Sequence, residues 1–148
     1  MNKRYDVAII GGGTAGIFAA YELAKNNSGL NIIMIEQGND IYNRLCPIVE
    51  NKVDRCISCK SCSIMRGFGG AGAFSDGKFN LTTEFGGWLN DFIPDEEVME
   101  LINYVDSINV QFGATKETFS TYSEEAKKIK RMALAHDLHL LQAKVKHL

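Results

Sequence analysis

Residues 7–16 read VAIIGGGTAG, and residues 30–36 read LNIIMIE. Val7, Ala8, Ile9 and Ile10 form a short, continuous apolar run, the pattern of a parallel strand buried on both faces. Gly11 permits a tight turn out of that strand, Gly13 leaves the backbone open to a pyrophosphate, and Gly16 lets the following helix pack closely. The helix is predicted to start near Thr14. Thr14 and Ala15 then offer free N–H groups and the positive end of the helix dipole to a diphosphate. Ile17, Ala20, Leu23 and Ala24 make the expected inward stripe, and Asn26, Asn27, Ser28 and Gly29 are expected to stop the helix. A second strand is predicted over 30–35. It closes on Glu36, 20 residues after Gly16, where a carboxylate can accept hydrogen bonds from both hydroxyls of a ribose.

Strand, glycine turn, helix, second strand and terminal acid agree on one dinucleotide-binding unit. Glu36 would repel a 2′-phosphate, and Gln37 beside it brings no cation to offset that, so NADP fits poorly. FAD and NAD both satisfy this chemistry.

The 148 residues are 45% hydrophobic and 23% charged, with a net charge of −2, ordinary for a soluble globular protein and suited to one domain. There is no basic patch, which argues against nucleic acid and anionic membranes as partners. No apolar run reaches membrane-spanning length. Lys3 and Arg4 precede an apolar stretch, but the glycines and the acid closing the second strand argue against a cleaved leader, and a cytoplasmic location is expected.

Four cysteines fall within seventeen residues: Cys46, Cys56, Cys59 and Cys62. The last three read CISCKSC, a spacing that can converge on a ferredoxin-type [4Fe–4S] cluster with Cys46 as fourth ligand. Unlike the ferredoxin pattern, the Cys46-Pro47 pair lies upstream of the run. Zinc, redox-active thiols beside a flavin, and plain buried cysteines are the competing readings. Lys52, Arg55, Lys60 and Arg66 surround the run and would favour thiolates.

Residues 66–80 read RGFGGAGAFSDGKFN. Backbone this rich in glycine approaches something closely or adopts positive φ. With Gly70, Ser75, Asp76, Gly77 and Lys78 it could wrap a diphosphate or a flavin ring. Phe68, Phe74 and Phe79 suggest that the loop is packed.

The stretches CPIVENKVDRCISCKSC (46–62), IMRGFGGAGAFSDGKFN (64–80) and FGGWL (85–89) together resemble a family of bacterial and archaeal FAD-dependent dehydrogenases with no settled substrate. These are relatives of the flavoproteins with two dinucleotide-binding domains. The resemblance covers the whole chain, and GFGGAGAFSDGK is its most specific part. It implies FAD held by Gly11, Gly13, Gly16 and Glu36, with the loop from Gly69 to Lys78 contributing to the flavin site. It supplies no catalytic residue. Such flavoproteins are much longer and return late to the nucleotide-binding sheet, so the chain is expected to be an N-terminal fragment that is inactive alone.

The expected fold is α/β, a Rossmann-like FAD/NAD(P)-binding domain with a parallel sheet flanked by helices and incomplete at its C-terminal side. Residues 1–38 would form the βαβ unit, 39–92 a cysteine- and glycine-rich loop region, and 93–148 helices and a terminal strand. Asp95 is expected to cap a helix reaching about Gly113, with Val98, Leu101, Ile102, Val105 and Ile108 inward. Ser123 is expected to cap a second, from Glu124 to about Ala135, with Ala126, Ile129, Met132 and Ala133 inward. Leu141, Ala143 and Val145 alternate with Gln142, Lys144 and Lys146, which is strand periodicity. Lys127, Lys128, Lys130 and Arg131 read as a solvated helix face, and His136, His139 and His147 as ordinary residues.

The expected function is electron or hydride transfer through FAD, with a small-molecule redox substrate or donor, NAD(P)H among them. One alternative is an NAD-binding, thiol-dependent enzyme of the thiazole-synthase type, whose opening is similar. Another is an inactive nucleotide-binding fragment.

Overall fold

The computed structural model describes residues 3–27 and 29–148; the expected stop at Ser28 lies outside the described residues. The chain forms two compact units, Met1–Ser75 and Asp76–Leu148.

In the first unit, β1 (Val7–Ile10) pairs in parallel with β2 (Ile32–Ile35), Val7 opposite Ile32 and Ile10 opposite Ile35. The helix α1 (Thr14–Asn26) joins them and packs against both strands. This is the βαβ unit anticipated above. Among the described residues the parallel sheet has two strands and is incomplete. Along β1, Val7 and Ile9 are half-buried while Ala8 and Ile10 are exposed. The expectation of burial on both faces is therefore corrected: α1 covers one face, and Ile10 stays 78% exposed. The helix stripe is half-buried at best, and Ile17 and Ala24 are exposed.

Residues 37–75 run as turns and short 3₁₀ segments, Ile41–Asn43 and Ala71–Phe74 among them. The Asp40 side chain caps the first by accepting the Tyr42 N–H at 3.1 Å.

The second unit contains β3 (Lys78–Asn80), α2 (Asp95–Gln111), β4 (Phe119–Ser120), α3 (Glu124–Leu134) and β5 (Lys144–His147). The strands form an antiparallel sheet in the order β3-β5-β4. The terminal strand was anticipated; β3 and β4 were not, because two or three residues are too few to show a period of two. Pro94, not Asp95, occupies the cap position of α2, and Asp95 is its first helical residue. Asp95, Glu96 and Glu97 then place three acids in the first turn, where the helix dipole favours them. Ser123 does cap α3, its Oγ accepting the Ala126 N–H at 3.2 Å.

Val98 and Ile108 of α2 are the buried apolar residues of the second unit, whereas Leu101, Ile129 and Met132, expected inward, are about half exposed. Lys146 of β5 runs against the usual polar-outward pattern. It is buried, and its ammonium lies 2.7 Å from both carboxylate oxygens of Asp106 on α2, donating to Oδ2. An acid on the neighbouring helix outweighs the polar–outward rule here, because a buried ammonium is tolerated when it is paired. Val98 and Ile102 also line a cavity of about 350 Å³ with Phe79, Asn80, Phe85 and Leu89.

Candidate functional site: a glycine cradle closed by Glu36 and Arg44

Gly11 leaves β1 at φ 104°, a conformation that favours glycine. A Cβ on Gly16 would overlap the carbonyl oxygen of Gly11, so only glycine lets α1 sit this close to the strand end. Gly13 occupies the cap position of α1 in extended conformation and provides no side-chain cap. Among the described residues, the N–H groups of Thr14, Ala15 and Gly16 meet no acceptor, while that of Ile17 begins the helix by donating to Gly13 O at 3.0 Å. The helix thus opens on a row of free donors, as a diphosphate site requires.

Glu36 directly follows β2 and gathers three turns. Its Oε2 accepts the Gly12 N–H at 2.7 Å, and its Oε1 accepts those of Gly38 at 2.9 Å and Gly67 at 3.0 Å. The N–H groups of Gly12 and Gly38, joined by those of Gly67 and Gln37 and opposed by partial burial, hold its carboxyl below the usual carboxylate range. Two carboxylate oxygens offer about four lone-pair directions, and the hydrogen bonds from Gly12, Gly38 and Gly67 occupy three, so about one remains for a further donor. The Gln37 side chain is exposed.

The glycine-rich loop docks onto the first turn. Gly69 N donates to Gly12 O at 2.9 Å, and Phe68 N to Asn39 O at 3.1 Å. Gly70, at φ 63°, passes so near Gly13 that a Cβ on it would lie 3.2 Å from the Gly13 Cα. A Cβ on Gly12 would in turn sit 2.9 Å from the Phe68 ring. The two glycine stretches, more than fifty residues apart in sequence, are therefore one structure.

Arg44 holds this loop from the other side. It is 3% exposed, and its guanidinium donates to four carbonyls: Nε to Ser63 at 2.8 Å, Nη1 to Phe68 and Gly70 at 2.7 Å each, and Nη2 to Ile64 at 2.8 Å. Its cation also lies 4.7 Å from the Phe74 ring centroid. Arg44, Gly38 and Gly67 were not singled out in the sequence. Arg44 pairs with main-chain carbonyls, which every residue carries, so no partner residue type advertises it.

Of the expected flavin-loop residues, Gly70 joins the cradle. Ser75 is exposed, and its Oγ donates to Gly72 O at 2.8 Å. Asp76, Gly77 and Lys78 belong to the second unit. There Gly77 O accepts the Leu148 N–H at 2.7 Å, and Asp76 pairs with Lys78 at 3.2 Å. The Lys78 ammonium beside Asp76 holds its carboxyl below the usual range. The His147 ring nitrogen Nδ1 lies 3.1 Å from Asp76 O.

The expected iron–sulfur or zinc site is not assembled. Among the described residues no three of His, Cys, Asp or Glu are grouped so as to hold a metal ion, and Cys46, Cys56, Cys59 and Cys62 are free thiols. Cys46 opens one turn, its carbonyl accepting the Glu50 N–H, and Cys62 opens another, accepting those of Met65 and Arg66. Separate turns fix these two cysteines, and Cys56 and Cys59 lie exposed in the loop between them.

Fold and site together form a βαβ unit with a glycine turn at the open N-terminus of α1 and an acid after its second strand. Residues 6–43, which span β1, α1, β2 and the segment up to the residue before Arg44, match the family of FAD dependent oxidoreductases. No curated protein and no solved structure matches the chain. No helix among the described residues is long and apolar enough to cross a membrane.

Proposed function

We propose that this chain carries the adenosine-diphosphate half of the FAD site of an oxidoreductase, a dehydrogenase acting on a small molecule. The observation that carries this reading is the closure of Gly12, Gly38 and Gly67 on one carboxylate, Glu36, beside the open N-terminus of α1. The family match over 6–43 covers the same βαβ unit and favours FAD over NAD. The N–H groups of Thr14, Ala15 and Gly16 would take the pyrophosphate, and the remaining lone pair of Glu36 one ribose hydroxyl. That is one hydroxyl fewer than the sequence suggested. Gly70, pressed against Gly13, walls the cradle, and a side chain there would enter it. When bound, FAD supplies hydride or electron transfer; the residues described here bind and orient it.

Gly13→Ala tests this without disturbing the fold. A Cβ at Gly13 meets no atom closer than 3.9 Å, and its φ of −79° suits alanine. The added methyl would nevertheless stand where the diphosphate approaches. Titration of the chain with FAD, followed by flavin fluorescence, is expected to show an affinity loss of about tenfold or more in the variant. Equal affinity in both proteins, or a colourless protein retaining NAD, would overturn the assignment.

A further inference from the structure

We propose that the cavity between β3, the loop after it and α2 binds a small uncharged aromatic ketone or aldehyde, whose carbonyl is held by Thr83 and Asn90. The inference is independent of the flavin assignment, because every residue lining this cavity belongs to the second unit.

Strand register fixes the first wall. Phe79 stands opposite Lys146 in the β3–β5 pair, and directly opposed residues share one face of a sheet. Lys146 is buried with its ammonium at Asp106 of α2, so that face is the one turned to α2. Phe79 therefore lines the cavity together with Val98 and Ile102 of α2.

The loop between β3 and α2 supplies the remaining wall. Leu81 N ties its start to β5 by donating to Lys144 O at 2.8 Å. Its end is turned by Phe92 N and Ile93 N, which donate to Leu89 O at 3.0 and 3.1 Å. Phe85 and Leu89 complete the apolar lining. The volume of about 350 Å³ lies at the small end of the roughly 300–1,000 Å³ typical of small-molecule sites, which suits a ligand of one ring.

Two polar side chains of the lining decide the ligand's chemistry. Thr82 Oγ1 accepts the Glu84 N–H at 3.2 Å, whereas among the described residues the Thr83 hydroxyl and the Asn90 carboxamide have no hydrogen-bond partner. Thr83 is half-buried, and an unpaired hydroxyl there gains from a ligand acceptor. The Thr83 O–H and the Asn90 amide together offer donors for both lone pairs of one carbonyl oxygen. Lys78 is the one ionised side chain in the lining, and its ammonium lies 3.2 Å from the Asp76 carboxylate. Neither an anionic nor a cationic ligand therefore finds a free counter-ion, while Phe79 and Phe85 suit an aromatic ring.

The test titrates the isotope-labelled whole chain with acetophenone, toluene and benzoate, which share one aromatic ring and differ in polar edge and charge, and follows amide signals by NMR. Acetophenone is expected to bind saturably, to shift the signals of the lining residues, and to bind about tenfold more tightly than either of the others. Thr83→Val removes the hydroxyl at nearly constant shape and should erase most of the advantage over toluene. Ile102→Trp fills the cavity from α2 and should abolish binding. Gly87→Leu intrudes from the loop, where a Cβ meets no atom within 4 Å, and should weaken binding about tenfold or more. Three results would overturn the proposal: no saturation by acetophenone up to its solubility, toluene or benzoate binding as tightly, or acetophenone binding that survives Gly87→Leu and Thr83→Val unchanged. The amide spectrum of each variant away from the cavity reports its fold, and if Ile102→Trp unfolds the chain the other two variants decide.

Discussion

In the first unit the buried charge of Arg44 and the carboxylate of Glu36 are both held by main-chain groups, four carbonyls for one and three N–H groups for the other. In the second unit the buried charge, Lys146, is held by one side chain, Asp106. Both units bury a cation, and they use it differently. Main-chain partners shape loops: Arg44 and Glu36 determine where residues 63–70 run and so build the walls of a cradle. A side-chain pair joins elements: Lys146 and Asp106 tie β5 to α2 and leave loop shape alone.

The first unit should therefore be the more sensitive to any change at its close backbone contacts. Gly16→Val, which drives a side chain into Gly11 O, should cost about 3 kcal/mol or more in urea unfolding and abolish FAD binding. Arg44→Ala strands four carbonyls and should cost about 3 kcal/mol. Arg44→Lys should recover little of that, because an ammonium cannot reach four spread carbonyls; full rescue by lysine would show that charge alone matters. In the second unit, Lys146→Met should cost about 2 kcal/mol by leaving Asp106 unpaired, yet Lys146→Met with Asp106→Leu should come near the parent. If the double variant is as unstable as the single one, the pair does more than join two elements.

A smaller effect should appear with pH. The Glu36 pKa is lowered in the folded chain, so its stabilisation is complete above the ordinary glutamate range and is lost as pH falls from that range through the lower folded pKa. Glu36→Gln should flatten that acid-side loss in the unfolding midpoint, and an unchanged pH profile would contradict the main-chain anchoring of this carboxylate. Asp76 and Glu125 shift in the same direction, so the difference between native and variant is the quantity to follow. Smallest of all, Lys127→Ala removes an exposed pair with Glu124 and should change stability by less than about 0.5 kcal/mol.

The βαβ unit was legible because its signals are local. An apolar run, glycines at fixed spacing and an acid at a strand end each act through residues near in sequence. The Ser123 cap was legible for the same reason, and the match over 6–43 falls on this local part. Arg44 and Lys146 were not legible. One pairs with carbonyls, which carry no residue signature, and the other with an acid 40 residues away. For the cysteines, spacing suggested convergence, whereas among the described residues no three potential ligands are grouped, and Cys46 and Cys62 open separate turns.

Sequence alone determined that β1, the glycine turn, α1 and β2 would form and that Glu36 would stand at the end of β2, because short-range sterics and periodicity govern those steps. Tertiary structure decided what Glu36 holds. It also brought Gly70 against Gly13, paired Asp76 with Lys78, and buried Lys146. Those outcomes depend on backbone groups and charges that meet across long stretches of chain, where no local pattern records the partner.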